Sequence, residues 1–411
     1  MSAKRFFIGA VAAAGVGLGA AAANANETIK IAYQEPLSGP FANIGTAGLS
    51  DFLFVAADIN KRGGILGHDI EIVQFDNKLS GQEAIIQLQR AIDQGIRFLL
   101  QGQSSGIALA LGDAITKNNA RNPDNRILHL NYAAVAPALT NEKCSFWHFR
   151  FDANVDMKMA ALTNYMKTRS DIGKVYLINQ NYSFGQAVEA AAKKMVPANM
   201  PNATIVGAEL HPLARIQDFA PYVQKIKASG ADTVITGNWG NDLTLLIKAA
   251  NDAGLDVKWF TYYAGASGTP TAIGKAGVGK VFMITEWHQN VLESAELEEF
   301  VNRYEAEYGD EFLFYRSKNT LEMLKLAIEA AGSTDPVKVA FAFEGMKYES
   351  ELGTIEMRAE DHQLFQKLYV SKWSDNVKYS QEVEGLGFET QGVIESADTR
   401  IGTVCKMERP S

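Results

Sequence analysis

The sequence has few cysteines and no long block of one charge. Only Cys144 and Cys405 occur among the 411 residues, and two cysteines so far apart cannot form a metal site that spacing would reveal. The net charge of −8 is spread along the chain, which argues against nucleic acid and against a polybasic membrane contact. A small molecule or another protein is therefore the expected partner.

Zinc-binding motifs are missing as well. There is no H-E-x-x-H and no cysteine pair at zinc spacing. The segment IGKAGVGKV (273–281) contains G-x-x-x-x-G-K, but Val281 replaces the required Ser or Thr, and a strand-like segment follows where a helix should begin. His129 and His148 lie among apolar residues, where a core role is expected. We therefore expect no catalytic residue, no cofactor and no metal. Catalytic groups that are far apart in sequence and come together only in the fold would not be found by a motif search.

The first 25 residues are typical of a secretory signal peptide. Lys4 and Arg5 provide the positive start, residues 6–22 are apolar, and residues 23–25 read Ala-Asn-Ala, an A-x-A cleavage site. The apolar run is shorter and richer in Ala and Gly than a typical spanning helix. We predict export, cleavage near Ala25 and a soluble mature protein in the periplasm.

Export also bears on the two cysteines. In an oxidising compartment, Cys144 and Cys405 are expected to form one disulfide that ties the C-terminal tail to the body of the protein. Two separate buried thiols are the alternative.

From Thr28 onward, strand-like and helix-like segments alternate in two successive series. In the first series, strands are predicted at 28–34, 70–76, 97–102 and 127–132, with helices at 48–64, 81–95 and 105–118. In the second, which starts after 148–151, strands are predicted at 174–180, 203–210, 231–238, 258–263 and 280–287. This order predicts an α/β fold with two doubly wound, Rossmann-like lobes, each a parallel sheet covered on both faces. Helices at 294–308, 317–332 and 335–346 have no strands of their own, so we expect them to return to the first lobe.

Several segments resemble those of the periplasmic solute-binding proteins of ABC importers, specifically the Leu/Ile/Val-binding type. They are PLSGPFANIG (36–45), ADINKRGGILG (57–67), QGQSSGIALAL (101–111), APALT (136–140), NQNYSFGQ (179–186) and GNWGNDLTLLIKAANDAGL (237–255). The resemblance extends to about Trp373 and implies a type I periplasmic-binding fold with three hinge crossings. It implies an N-terminal lobe of residues 26–150 and 286–362 and a C-terminal lobe of residues 151–285 and 363–411. It further implies capture of a small solute between the lobes and delivery to a membrane permease without covalent chemistry.

Two strand ends of the first lobe are candidate ligand contacts, because ligands of open α/β sheets bind beyond the carboxyl ends of the strands. Ser104 and Ser105 lie between a strand and a helix, where free N–H groups and the helix dipole favour a carboxylate; plain N-capping would need only one of them. The segment LHLNYAAVAPALT (128–140) passes from a strand into Ala133, Ala134 and Val135. Side chains this small would let a solute carboxylate approach the N–H groups of Ala134 and Val135.

The chain departs from the family where an α-amino acid would be recognised. The resemblance implies a Thr hydroxyl in the loop that here contains residues 133–135, and a glutamate for the ammonium where this chain has Ala264. Burying an ammonium without a carboxylate is costly. Either the solute lacks an ammonium group or Asp242 replaces the glutamate.

Aromatic side chains lie at predicted strand ends of both lobes: Phe41, Tyr132, Tyr182, Phe184, Trp239, Tyr262 and Tyr263. Together they suggest a flat apolar slot with hydroxyl and indole donors, although any one of them could belong to the core. By the resemblance, Trp239 and Phe184 align with ligand contacts of the family. Arg316 falls near another, where it would pair with an anionic solute or else be a solvated charge at a helix end.

These features favour a receptor for a small aromatic or branched aliphatic carboxylate. The alternatives are a receptor for a branched-chain or other amino acid, an exported sensor domain of the same fold, and an exported hydrolase. The predicted ligand contacts are Phe41, Ser104, Ser105, Ala133, Ala134, Val135, Tyr182, Phe184, Trp239, Asp242, Tyr263, Ala264 and Arg316. The tail from Ser374 to Ser411 extends beyond the resemblance and carries no functional prediction.

Overall fold

The first series of alternating segments folds around a parallel sheet. The computed structural model describes residues 28–410, so the predicted signal peptide lies outside the described residues. The strands are β1 (Ile29–Glu35), β2 (Ile70–Asp76), β3 (Phe98–Leu100), β4 (Leu128–Asn131) and β5 (His148–Arg150), in the order β2-β1-β3-β4-β5. The connecting helices are α1 (Ala42–Lys61), α2 (Gly81–Asp93) and α3 (Ser105–Arg121). Phe98, Leu99 and Leu100 are fully buried, as expected of a central parallel strand with helices on both faces.

The second series builds the other lobe in the same way. Its strands are β6 (Lys174–Gln180), β7 (Thr204–His211), β8 (Thr233–Thr236), β9 (Lys258–Thr261) and β10 (Val281–Thr285). Its helices are α4 (Val155–Met166), α5 (Ser183–Asn199), α6 (Ala220–Ser229), α7 (Asn241–Asp252) and α8 (Thr269–Ile273). Neighbouring strands of this series pair in parallel. The α/β class predicted from the alternating pattern is confirmed.

The chain then returns to the first lobe. Helices α9 (Ala295–Tyr308), α10 (Tyr315–Ala331) and α11 (Pro336–Phe343) place Phe300, Leu324 and Phe343 in the same core cluster as the first sheet. Three short strands, β11 (Lys347–Ser350), β12 (Gly353–Met357) and β13 (Leu364–Phe365), follow and form a small antiparallel sheet.

The last two strands extend the second sheet. Strand β14 (Leu368–Ser374) pairs antiparallel with β10, and β15 (Gly387–Ile394) pairs antiparallel with β14. The complete order is β15-β14-β10-β9-β8-β6-β7. The chain thus crosses between the lobes after β5, after β10 and after β13.

The tail ends on the first lobe and not on the second. The Thr403 hydroxyl donates to the carbonyl of Thr140 at 2.7 Å, and Cys405 forms a disulfide with Cys144. The predicted boundary assigned all of residues 363–411 to the C-terminal lobe, whereas the disulfide holds residues 403–405 against the other one. No helix between residues 28 and 410 combines the length and the apolar character needed to cross a membrane.

Candidate functional site

A cavity lies between the two lobes, at the strand ends that the alternating pattern predicts. Its lining residues are Ile44, Gly102, Gln103, Ser104, Ser105, Tyr132, Ala133, Val135, Tyr182, Phe184, Trp239, Gly240, Tyr263, Ala266, Phe314 and Arg316. The structure therefore brings together most of the predicted contacts. Phe41, Ala134, Asp242 and Ala264 are not among the lining residues.

Ser104 and Ser105 form the end of the cavity at the start of α3. Ser104 has a φ of 76°, in the left-handed region that non-glycine residues rarely adopt, and its side chain makes no capping hydrogen bond. The Ser105 hydroxyl accepts from the backbone N–H of Ala136 at 3.1 Å. Plain N-capping by Ser104 is therefore wrong, and a strained residue at the cavity surface fits a binding role better.

Gln103 was missed by the sequence analysis. Its side chain is only 5% exposed, yet neither carboxamide atom has a hydrogen-bond partner within residues 28–410. A buried amide left unpaired is costly, so this side chain is available to pair with a solute in the cavity. Its position three residues after the end of β3 was the available signal.

The second lobe contributes an aromatic wall. The indole N–H of Trp239 donates to the Tyr182 hydroxyl at 2.8 Å, and the rings of Tyr182 and Tyr263 lie 6.0 and 5.8 Å from that of Phe184. Phe41 does not belong to this wall. It packs edge-on against Trp239 at 4.6 Å and is buried, so the predicted ligand contact at Phe41 is instead support for Trp239 across the lobe interface.

Arg316 belongs to a buried chain of charges and is not the solvated helix-end residue of the alternative prediction. Its Nη1 donates to Glu286 at 2.8 Å and to Asp152 at 3.3 Å, and Lys158 donates to the same Asp152 oxygen at 2.9 Å. Two cations thus face two carboxylates beside the hinge. The Nε of Arg316 has no hydrogen-bond partner in the described chain, so the guanidinium keeps donor capacity for a solute.

Three other predicted contacts lie behind the cavity wall. Asp242, in the first turn of α7, accepts from the Gln180 side chain at 2.9 Å and from the Ala214 N–H at 3.0 Å, so it is turned into the lobe. Ala264 packs in the core of the second lobe. The N–H of Ala134 donates to the Asn131 side chain at 2.7 Å and is unavailable to a carboxylate.

The resulting site is apolar and rich in donors. No Asp or Glu is among the residues that line the cavity, and residues 28–410 contain no cluster of metal-ligating side chains. Arg316, Ser104, Gln103 and Tyr182 supply hydrogen-bond donors around the aromatic wall.

Comparison with known proteins finds similarity along the whole length of the chain. A family model described as periplasmic binding protein matches residues 28–378. The Leu/Ile/Val-binding protein homolog 4 of Brucella melitensis is 34% identical over 426 residues, which cover 100% of both chains. A leucine-, isoleucine-, valine-, threonine- and alanine-binding protein from Brucella ovis, solved in a closed conformation, is 31% identical with a TM-score of 0.84, covering 93% of this chain and 100% of that one.

A solute-binding protein of an ABC transporter from R. palustris, solved in complex with benzoate, shares the fold. It has a TM-score of 0.78 at 18% identity and covers 92% of this chain and 100% of that one.

Proposed function

The chain belongs to the periplasmic binding protein family, in its branched-chain amino-acid receptor group, and from this premise we propose that it captures a small carboxylate with an aromatic or branched aliphatic body. It is a solute-binding protein of an ABC transporter, and members of this family are receptors and not enzymes. The family implies a periplasmic location and a membrane permease as partner.

The observation that carries the proposal is the charge of the cavity lining. Arg316 lines the cavity, and no carboxylate side chain does so in the described chain. A solute ammonium would lose its water without gaining an ionised partner, which is costly in a buried site. A carboxylate, in contrast, would find hydroxyl, amide and guanidinium donors together with the N-terminus of α3.

The shape of the site supports an apolar body for the solute. Phe184, Trp239 and Tyr263 offer ring faces and edges within one cavity, and Ala133 and Val135 leave the opposite side open. Aromatic rings pack well against such walls in offset or edge-to-face arrangements. The benzoate-bound relative from R. palustris agrees with this class of solute, although it resembles the chain in fold alone.

Contacts across the cleft support capture by hinge closure. Phe41 of the first lobe packs on Trp239 of the second, and the Asn43 side chain donates to the carbonyl of Ser267 at 3.0 Å. The Tyr263 hydroxyl lies 3.5 Å from the carbonyl of Ala133. These contacts join residues that would separate if the lobes opened.

Calorimetric titration tests the proposal. The protein is first unfolded and refolded, so that it carries no co-purified solute. Benzoate, other aromatic acids, branched aliphatic acids and aliphatic amino acids form the panel. We expect binding of the acids in the micromolar range or tighter, about −8 kcal/mol, and no binding of leucine. Tight binding of leucine together with no binding of any acid in the panel would overturn it.

A receptor for a branched-chain amino acid is the second candidate. The names of relatives at 31–34% identity favour it. In that case the ammonium must find an acceptor, and the sequence analysis offered Asp242. Since Asp242 does not line the cavity and its Oδ2 accepts from both Gln180 and Ala214, Asp242→Asn should leave leucine binding intact in an amino-acid receptor of this geometry. Loss of leucine binding in that variant would restore Asp242 as the ammonium partner.

A further inference from the structure

A second cavity lies next to the first, solute-binding one, beside the passage that follows β10. Four residues line both cavities: Tyr263, Ala266, Phe314 and Arg316. The residues that line only the second cavity include His288 after β10, Glu311 before α10 and Gln381 of the C-terminal tail. Because the two cavities share part of their lining, the second lies directly beyond the Arg316 end of the first.

Two buried side chains bring unpaired nitrogen atoms to the second cavity. Arg316 is 4% exposed and His288 is 5% exposed, and within residues 28–410 neither the Nε of Arg316 nor the Nδ1 of His288 has a hydrogen-bond partner. The Nε2 of His288 lies 2.8 Å from the Ser371 hydroxyl and 3.0 Å from the Thr390 hydroxyl. Buried polar atoms of native proteins are rarely left unpaired, so these two nitrogens point to a polar group that the protein itself does not supply.

Glu311 gives the second cavity a carboxyl group. Its Oε1 accepts from the backbone N–H of Glu382 at 2.8 Å. The charged groups that act most on it are Glu382, Asp310 and Glu305, all of which are acidic. Burial first, and then repulsion by these neighbours, raise the pKa of Glu311 to about 8, against the lowering by the Glu382 N–H. The surroundings of Glu311 therefore lack a cation.

Arg316 does not supply that cation, because its charge is already balanced. Its Nη1 donates to Glu286 at 2.8 Å and to Asp152 at 3.3 Å, both at passages between the lobes. The carboxyl group of Glu311 is thus left to make the second cavity attractive to a positive charge. The first cavity, which no carboxylate side chain of the described chain lines, instead favours a negative charge.

The C-terminal tail closes the second cavity. The Gln381 side chain donates to the carbonyl of Gly265 at 2.9 Å, and the Glu382 carboxylate accepts from the N–H of Thr271 at 3.0 Å. The N–H of Glu382 meanwhile binds Glu311 in the first lobe. The tail, for which the sequence carried no functional prediction, therefore links the loop before α10 to the second lobe at this cavity.

We propose that the two cavities hold the two ends of one solute, so that the receptor takes a carboxylic acid with an ammonium group several bonds away from the carboxylate. The carboxylate binds beside Gln103 and Ser104, and the ammonium group enters the second cavity and pairs with Glu311. This assignment rests on the proposed function, because it requires a carboxylate in the first cavity. An α-amino acid does not meet it, since one carbon atom carries both of its charged groups.

The experiment is calorimetric titration of the refolded protein with matched pairs of acids. Para-aminomethylbenzoate is compared with para-ethylbenzoate, para-aminoethylbenzoate with para-propylbenzoate, and the meta isomers likewise, so that an ammonium group replaces a methyl group in each pair. We expect at least one amine to bind about tenfold or more tightly than its neutral partner, as for a buried hydrogen bond to a charged group. Glu311→Gln should abolish this preference. Glu307→Gln removes the same charge at an exposed position of α9 that lines neither cavity, and it should retain the preference.

The outcomes separate this inference from the proposed function. If none of the acids binds, the proposed function fails and the inference fails with it. If the acids bind but the ammonium group brings no gain in any pair, the second cavity holds water only, and the inference alone is overturned. A preference for the amine that Glu311→Gln retains overturns the role of Glu311.

The wild-type pairs decide the class of solute by themselves if Glu311→Gln does not fold. Glu311→Asp then tests the residue, because it keeps the charge and withdraws it from the cavity. We expect a weaker preference for the amine in this variant, and an undiminished preference overturns the role of Glu311.

Discussion

The indole nitrogen of Trp239 lies 2.8 Å from the hydroxyl oxygen of Tyr182 and donates to it. Because Tyr182 accepts this bond, its own hydrogen is free to be given to a solute. The pair thus fixes the wall of the cavity and points one donor inward.

Tyr182→Phe should weaken solute binding. The substitution removes the donor and leaves the buried Trp239 N–H unpaired, for a loss of about 1–3 kcal/mol in binding free energy. Titration with benzoate measures it. Tyr176→Phe is the matched control, since the Tyr176 hydroxyl lies toward Glu209 on the same lobe and away from the cavity. Equal losses in the two variants would contradict a specific role for Tyr182.

Arg316→Met should destabilise the protein strongly. It leaves the buried carboxylates of Glu286 and Asp152 with Lys158 as their remaining cation, and breaking a buried ion pair costs about 3–5 kcal/mol. Urea unfolding measures the change. Arg303→Met provides the comparison, because Arg303 is half-exposed and its partner Asp58 also pairs with Arg62, so its loss should cost no more than about 1 kcal/mol. Similar midpoints for both variants would argue against the buried network.

Substitutions at Ser104 should separate strain from recognition. Both Ser104→Gly and Ser104→Ala remove the hydroxyl and should weaken binding of a carboxylate. Glycine tolerates the φ of 76° and alanine does not, so the glycine variant should be more stable than the alanine variant by about 1 kcal/mol. Paired denaturant unfolding and titration test this. A less stable glycine variant would mean that the left-handed backbone is not strained here.

The pH dependence of stability should change in His129→Gln. Burial lowers the pKa of His129 to about 4, below its ordinary value of about 6.5. A histidine with a lowered folded pKa contributes stability above about pH 6.5 and loses it progressively as the pH falls toward about 4. As the pH falls from about 6.5 toward about 4, the variant should therefore become more stable relative to wild type.

Buried carboxyls complicate the wild-type curve. Burial raises the pKa of Glu35 and Asp51 to about 8, and carboxyls raised in this way stabilise the protein as the pH falls from about 8 toward about 4. Their effect opposes that of His129, so only the difference between variant and wild type isolates the histidine. Denaturant unfolding at about pH 7 and about pH 4.5 gives that difference, and parallel curves would refute the assignment.

Removal of the disulfide should lower stability without affecting the site. The double variant Cys144→Ser, Cys405→Ser loses a constraint on the unfolded chain that is typically about 2–4 kcal/mol. Chemical unfolding of the variant and of wild type, with benzoate titration of both, measures the two effects. An unchanged unfolding midpoint would mean that the tail holds its place without the bond.

Much of the fold follows from local patterns. Apolar runs such as Phe98–Leu100, separated by amphipathic helices, predict parallel strands and the edge at which ligands bind. Strand β15 escaped prediction because it lies at the edge of its sheet and only part of it is buried. The antiparallel pairing of β14 with β10 joins segments that are far apart in sequence, and no local pattern encodes it.

The site was predictable where a residue lies within four positions after the end of a strand. Ser104, Tyr182, Trp239 and Tyr263 are of this kind, and all line the cavity. Asp242 was misplaced because closeness to Trp239 in sequence does not fix the side of α7 that faces the cavity. Glu311 was missed because it follows a helix and not a strand, and it meets the tail only through the return of the chain to the first lobe.

The disulfide joins Cys144 and Cys405, which are 261 positions apart in sequence, and the passages between the lobes after β5, β10 and β13 lie within that span. Covalently, residues 144–405 form a closed ring, and the two ends of the chain extend from it. A single proteolytic cut in any one passage opens the ring into a line and leaves both lobes in one molecule. Separating the cut chain into two molecules requires a second cut within the ring or reduction of the bond, so the disulfide keeps a receptor that is cut at one passage in a single covalent piece.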